Sequence, residues 1–202
     1  VASAAHPLDV LFGSGRNGAG RASSAAPAAE EDTDTDMAAH TAASGAGCAL
    51  LSSCAHPNFS NGGVAIDPDG SVWVGTYGAG DTIYKIDPAT CAVLNQFPAT
   101  QYSGGLAHDG TDLWVCFEQL GEAHRIDPAT GAVLQVLPLP GSTLGDPNSA
   151  GLAWDGQALW HVEYLPGAIY RLDPTSGAIL QTITPPSDFL SGVAFENGTL
   201  LV

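Results

Sequence analysis

One hairpin is written three times in this chain: "YKIDPATCAVLNQF" (84–97), "HRIDPATGAVLQVL" (124–137) and "YRLDPTSGAILQTI" (170–183). A chain that copies one small unit must stack the copies, because no single unit can bury its own apolar face. A second frame precedes each hairpin: "GGVAIDPDGSVWVG" (62–75), "GGLAHDGTDLWVC" (104–116) and "AGLAWDGQALWHV" (150–162), with a fourth, "SGVAFENGTLLV", at 191–202. The anchoring glycines Gly63, Gly105, Gly151 and Gly192 are spaced by 42, 46 and 41 residues.

Each copy reads as four short strands. The first ends in a turn built on Asp-Gly or Asn-Gly, residues that tolerate the positive φ of tight hairpins. The second carries Leu/Val-Trp-Val, and the third is closed by Asp-Pro-Ala-Thr-Gly. In that closing turn proline presets φ, the aspartate accepts backbone N–H bonds and glycine takes the left-handed position. Both strand faces are largely apolar, so each small sheet must be covered on two sides. Ala65, Ala107, Ala153 and Ala194 share one face of the first strand; Val64, Leu106, Leu152 and Val193 share the other. Small residues on an innermost strand suit a wedge-shaped sheet near an axis. The fold expected is all-β, a β-propeller with four-stranded blades at about 62–97, 104–138 and 150–184 and the start of another at 191–202. "GCALLSSC" (47–54) aligns with the fourth strands alone, as an isolated outer strand that completes the last blade and closes the ring. Three and a half blades fall short of the roughly four to eight of a closed propeller. The ring is therefore expected to be incomplete, finished by further chain or by another molecule.

Residues 1–46 are dominated by Ala, Ser and Gly and read as a flexible acidic leader, within which "PLDVLFGSG" (7–15) is the one stretch suited to a strand. Five basic residues against twenty-one acidic ones leave a net charge of −16, which lacks the clustered Lys and Arg that phosphate binding needs. Nucleic acid and anionic membrane surfaces are set aside as partners, and no apolar run reaches the roughly 18 residues of a membrane span. The acidic, lysine-poor composition and four cysteines suit an exported bacterial protein, extracellular or periplasmic, or a salt-adapted one. "DTDTD" (32–36) begins like a calcium loop but has Met37 at its sixth position and Ala43 at its twelfth, so it reads as a solvated linker.

The motifs "GGVAIDPDGSVWVG…IYKIDPATCAV" and "GLAWDGQALWHVE…IYRLDPTSGAI" resemble the superfamily of NHL-type, virginiamycin B lyase-like and gluconolactonase-like propellers, and the propeller of glutaminyl cyclotransferase-like proteins. The resemblance spans about residues 47–202 and rests on turn and packing residues. It implies either an enzyme with a divalent metal in the central channel or a binding scaffold. The loops joining strands two to three and four to one are expected to gather at one end of the channel. They offer Tyr77, Tyr102, Tyr164 and Asp146 for binding, and Glu118, Glu163 and Asn148 as oxygen ligands for Ca²⁺ or Mg²⁺. His161, a histidine where sister copies carry Val74 and Val115, is a candidate general base. The plainer alternative is that these are solvated loop residues. No zinc or haem spacing links Cys48, Cys54, Cys91 and Cys116. Cys91 and Cys116 fall at opposite edges of a blade, and Cys48 can reach Cys54 only if the segment between them is looped, so the pairing stays open. Three functions follow: a scaffold for protein, glycan or small-molecule recognition, a metal-dependent lyase or lactonase, and an assembly subunit joined through unclosed blade edges.

Overall fold

The computed structural model describes residues 9–11, 53–54, 61–76, 81–141, 149–165, 167–185 and 189–202. They belong to a unit comprising Val1–Gly13 and Cys54–Val202, apart from Ser53, which falls in a second unit, Ser14–Ser53. The rest of the leader and residues 47–52 of the isolated outer strand lie outside the described residues.

Three antiparallel sheets of four strands follow one another along the chain. The first holds β2 (Asn61–Ile66), β3 (Val72–Thr76), β4 (Thr82–Ile86) and β5 (Val93–Pro98) in that order. The second holds β6 (Ser103–His108), β7 (Leu113–Phe117), β8 (Glu122–Ile126) and β9 (Val133–Pro138). The third holds β10 (Ser149–Trp154), β11 (Leu159–Glu163), β12 (Ile169–Leu172) and β13 (Ile179–Ile183). A hairpin of β14 (Ala194–Glu196) and β15 (Thr199–Leu201) begins a fourth blade, and β1 (Asp9–Leu11), within the leader segment suited to a strand, pairs parallel to β15. The architecture is all-β and propeller-like, as the repeats required.

The closing turns form as their residues dictate. Asp87, Asp127 and Asp173 each accept a backbone N–H two residues on, at 2.8–2.9 Å. The left-handed position is held by Gly131 and Gly177, and in the first blade by Cys91 at φ 60°.

Alternation along each strand gives every blade two dissimilar faces. One carries alanine and tryptophan, as in Ala65 and Trp73, and meets the Leu106 and Leu113 face of the next blade. Ala107 and Trp114 meet Leu152 and Leu159 in the second seam, and Ala153 and Trp160 meet Leu200 in the third. The innermost strands touch through backbone. A Cβ on Gly63 would stand 2.6 Å from Gly105 Cα, one on Gly105 would stand 2.6 Å from Gly151 Cα, and one on Gly151 would stand 3.1 Å from Gly192 Cα. These glycines line a central space of about 210 Å³.

Each blade is also clamped at one end by an aspartate, a tryptophan and a cation. Trp73, Trp114 and Trp160 donate their indole N–H to Asp67, Asp109 and Asp155 at 2.9–3.0 Å. Lys85 lies 2.9 Å from Asp67, Arg125 bridges Asp109 and Asp112, and Arg171 Nε lies 2.6 Å from Asp155. Between blades, Asn95 donates to the Pro128 carbonyl and Gln135 to the Pro174 carbonyl, at 2.9 and 3.0 Å.

The cysteines resolve into one bridge, Cys54–Cys91, with 5.3 Å between Cα atoms, and a buried free thiol at Cys116. Cys48 lies outside the described residues. The first blade's leucine-type face is open among the described residues: Val64 is 61% and Ile66 73% exposed, against 3% for Leu106 and Leu152.

Candidate functional site

The seam between the second and third blades holds three of the candidate side chains, His161, Glu163 and Glu118. Strand β11 sends Leu159, His161 and Glu163 to one face and Trp160 and Val162 to the other, and the first set is turned toward the second blade. His161 is fully buried, its ring stacked near-parallel on Tyr170 with 6.1 Å between centroids, and neither ring nitrogen reaches a hydrogen-bond partner. Burial pushes its pKa down to about 4, against a smaller opposing pull from the backbone of Gly151 and Pro140. The imidazole is therefore neutral at physiological pH.

Glu163, also buried, accepts a hydrogen bond from the Tyr170 hydroxyl at 3.3 Å. Burial, with Glu163 beside it, pushes the Tyr170 phenol upward. Gly141, at φ 77°, covers the Glu163 carboxylate so closely that any side chain there would overlap it. Glu118 approaches the same seam from the second blade. Its Cγ would stand 2.9 Å from a Cβ placed on Gly104, with Cys116 Sγ at 3.3 Å from that point. Burial, with Glu118 nearby, raises the Cys116 thiol to about 12, so it stays protonated and unreactive. The structure thus brings His161, Glu163 and Glu118 to one seam. Among the described residues no three His, Cys, Asp or Glu side chains are placed to hold a metal ion.

The tyrosines part company. Tyr102 is half-buried, its carbonyl receiving the Glu118 N–H at 3.3 Å. Tyr164 is 42% exposed and packs edge-on against Phe189, itself 64% exposed, with 5.7 Å between centroids; Leu165 beside them is 41% exposed. Tyr77, Asp146 and Asn148 lie outside the described residues. Sequence reasoning passed over Tyr170 and Phe189. Tyr170 was accessible to it, because strand register sets it opposite His161. Phe189 was accessible too, since it precedes the anchoring Gly192 by three residues as Tyr102 precedes Gly105.

His161→Val, which restores the residue type of Val74 and Val115, is expected to reduce sensitivity to mild acid. A histidine whose folded pKa lies below its unfolded value destabilises the fold as pH drops through the unfolded value near 6.5. About 2 kcal/mol should be lost between about pH 7 and pH 5 in the native chain and not in the variant. Urea midpoints at the two pH values measure this, and equal losses in both proteins would contradict it.

The fold is that of the β-propellers. No family model and no curated protein matches the chain. Among solved structures it is similar to glutaminyl cyclase from Myxococcus xanthus, at 14% identity over 69% of this chain and 59% of that one, with a TM-score of 0.58. It is also similar to virginiamycin B lyase from Staphylococcus aureus, at 20% identity over 74% and 50% of the two chains with a TM-score of 0.53. A chain of a nidogen/laminin complex matches at 17% identity over 67% and 51%, with a TM-score of 0.55. The chain spans about half to three-fifths of the length of these structures, and at such identities the likeness is one of fold alone.

Proposed function

We propose that this chain is a β-propeller binding scaffold that recognises another protein through the loops flanking its third and fourth blades. The observation that carries the reading is the exposed group of Tyr164, Leu165 and Phe189, two rings and an aliphatic side chain brought together by loops distant in sequence. Aromatic anchors of this kind dominate protein interfaces because they supply large contact area at low entropic cost. A net charge of −16 favours a partner with basic side chains around an apolar centre. The Cys54–Cys91 bridge supports action in an oxidising compartment, outside the cytoplasm.

The test is to pan a random peptide display library against the full chain and to counter-screen with Tyr164→Ala/Phe189→Ala. Enriched peptides should carry basic residues around apolar anchors and lose about tenfold or more in affinity for the variant, the loss of one or two anchors. The unfolding midpoint should stay within about 0.5 kcal/mol of the native value, as for exposed positions generally. Peptides that bind the variant undiminished, or hits confined to a glycan array, would overturn the reading.

The second reading, a divalent-metal-dependent lyase or lactonase, has Glu163, His161 and Glu118 on one seam, but among the described residues no three such side chains are placed to share an ion. It requires calorimetric Ca²⁺ or Mg²⁺ binding that Glu163→Gln abolishes.

A further inference from the structure

The open face of the first blade repeats, residue for residue, a face that is buried elsewhere. Val64 corresponds to Leu106 and Leu152 and lies on the same side of its strand, yet is 61% exposed where they are 3%. Leu106 and Leu152 are covered by the alanine and tryptophan face of the preceding blade. The first blade lacks such a neighbour among the described residues, but it carries a mark of one.

In the two seams that precede a complete blade, the left-handed residue of the later blade's closing turn rests on the outer strand of the earlier blade. A Cβ on Gly131 would stand 2.7 Å from Phe97 Cβ, and one on Gly177 would stand 3.6 Å from Leu137 Cδ2. Cys91 is the left-handed residue of the first blade's turn, and it is bonded to Cys54. In the aligned repeats Cys54 stands where Phe97 and Leu137 stand. The same turns also meet the preceding outer strand through their prolines: Pro128 and Pro174 receive amides from Asn95 and Gln135, and the bridge sets Cys54 Sγ 3.8 Å from the Pro88 carbonyl.

We infer that the Cys54–Cys91 bridge is an inter-blade staple, that Cys54 occupies the outer-strand position of a blade standing before the first, and that the open face of the first blade docks this further blade. Its occupant is a further blade of this same chain, the one to which Cys54 belongs, presenting the kind of alanine and tryptophan face that covers Leu106 and Leu152. A covalent bond replaces the glycine-on-phenylalanine and glycine-on-leucine contacts of the other two seams.

The test is cysteine accessibility in the native full-length chain, read peptide by peptide by mass spectrometry under non-reducing conditions. Ile66→Cys should react with a maleimide at least tenfold more slowly than Leu94→Cys, whose parent residue is 54% exposed on an outer strand. Equal rates would overturn the proposal. Adding Cys54→Ala/Cys91→Ala should raise the Ile66→Cys rate several-fold, and an unchanged rate would remove the staple from the argument. If Ile66→Cys does not fold, hydroxyl-radical footprinting of the native protein replaces it: Val64 and Ile66 should oxidise less than Val93 and Leu94, and equal oxidation overturns the proposal. With the face protected, the native mass should be that of one chain, the chain that carries Cys54, and a mass of two chains would overturn the assignment of the docked blade to it. Protection by a protein of unrelated sequence would overturn the identity of the occupant.

Discussion

Gly105→Val is expected to cost about 3 kcal/mol or more, because it overpacks a backbone contact with nowhere to give. The added Cβ would stand 2.6 Å from Gly151 Cα and 2.7 Å from Gly151 C, and it would collide with the Leu152 amide nitrogen. All three are main-chain atoms of the next innermost strand, so relief requires moving a whole blade outward. Gly110→Ala is the matched control. Gly110 sits at φ 98° with nothing within 4 Å of its added carbon, so only conformational strain opposes the change, about 1–2 kcal/mol. Urea denaturation followed by tryptophan fluorescence separates the two. A Gly105→Val protein as stable as Gly110→Ala would mean that the innermost strands do not touch as described.

Asp155→Ala should cost about 2–3 kcal/mol, from the indole donor left unpaired and a charge pair whose Arg171 arm is 27% exposed. The Asp155 side chain is 6% exposed and holds the Trp160 indole N–H, Arg171 Nε and the turn amides of Gln157 and Ala158. Its loss strands an indole donor in a closed seam and leaves a guanidinium without its counter-charge. Asp155→Asn tests the charge separately from the shape, since an amide oxygen can still accept from the indole.

Burial alone would push the Asp155 carboxyl up, but the bond from Arg171, the two turn amides and the indole together hold it below the usual carboxylate value. Asp67 and Asp109 are held down in the same way, burial again being opposed by their cationic, indole and backbone partners. A carboxylate with a lowered folded pKa contributes stability above its unfolded pKa and loses it as pH falls through the folded one. The three clamps should therefore hold at neutral pH and fail together below about pH 4, the ordinary aspartate value. Stability in Asp155→Asn should fall less steeply over that acid range. A parallel fall in both proteins would remove the clamp from the account.

Most of the architecture was legible because a repeat reports it several times over. The Asp-Pro turns, the Trp-bearing second strands and the alanine and leucine parity all fell where the spacing put them. The aligned glycines marked the innermost strands, although nothing in one sequence said that they touch backbone to backbone. The indole-to-aspartate bonds escaped for a related reason: the aspartate of the first hairpin turn was read only for the positive φ such turns require, and one of its carboxylate oxygens proved to face the tryptophan.

The candidate site was less readable. Glu118 and Glu163 were chosen as carboxylates in the connections between strands two and three and His161 as a departure from Val74 and Val115, and neither ground carries a spacing from which convergence can be judged. That His161 and Glu163 face the second blade rather than open solvent follows from strand alternation. That they share a seam with Glu118 depends on how two blades lean together, which no local pattern encodes. The Cys54–Cys91 bridge was hidden by the same gap, since it joins a turn to a segment before the first blade.

The glycine-lined axis sets a limit on how such a molecule diversifies. At Gly63 and Gly105 an added side chain would strike the main chain of the next blade, so those positions are closed to exchange, whereas one at Gly192 would have nothing within 4 Å of it. Anything entering the axis would meet fixed main chain together with the side chains of Val64, Leu106, Leu152 and Val193. Novelty has most room at the ends, in loops such as those bearing Tyr164 and Phe189.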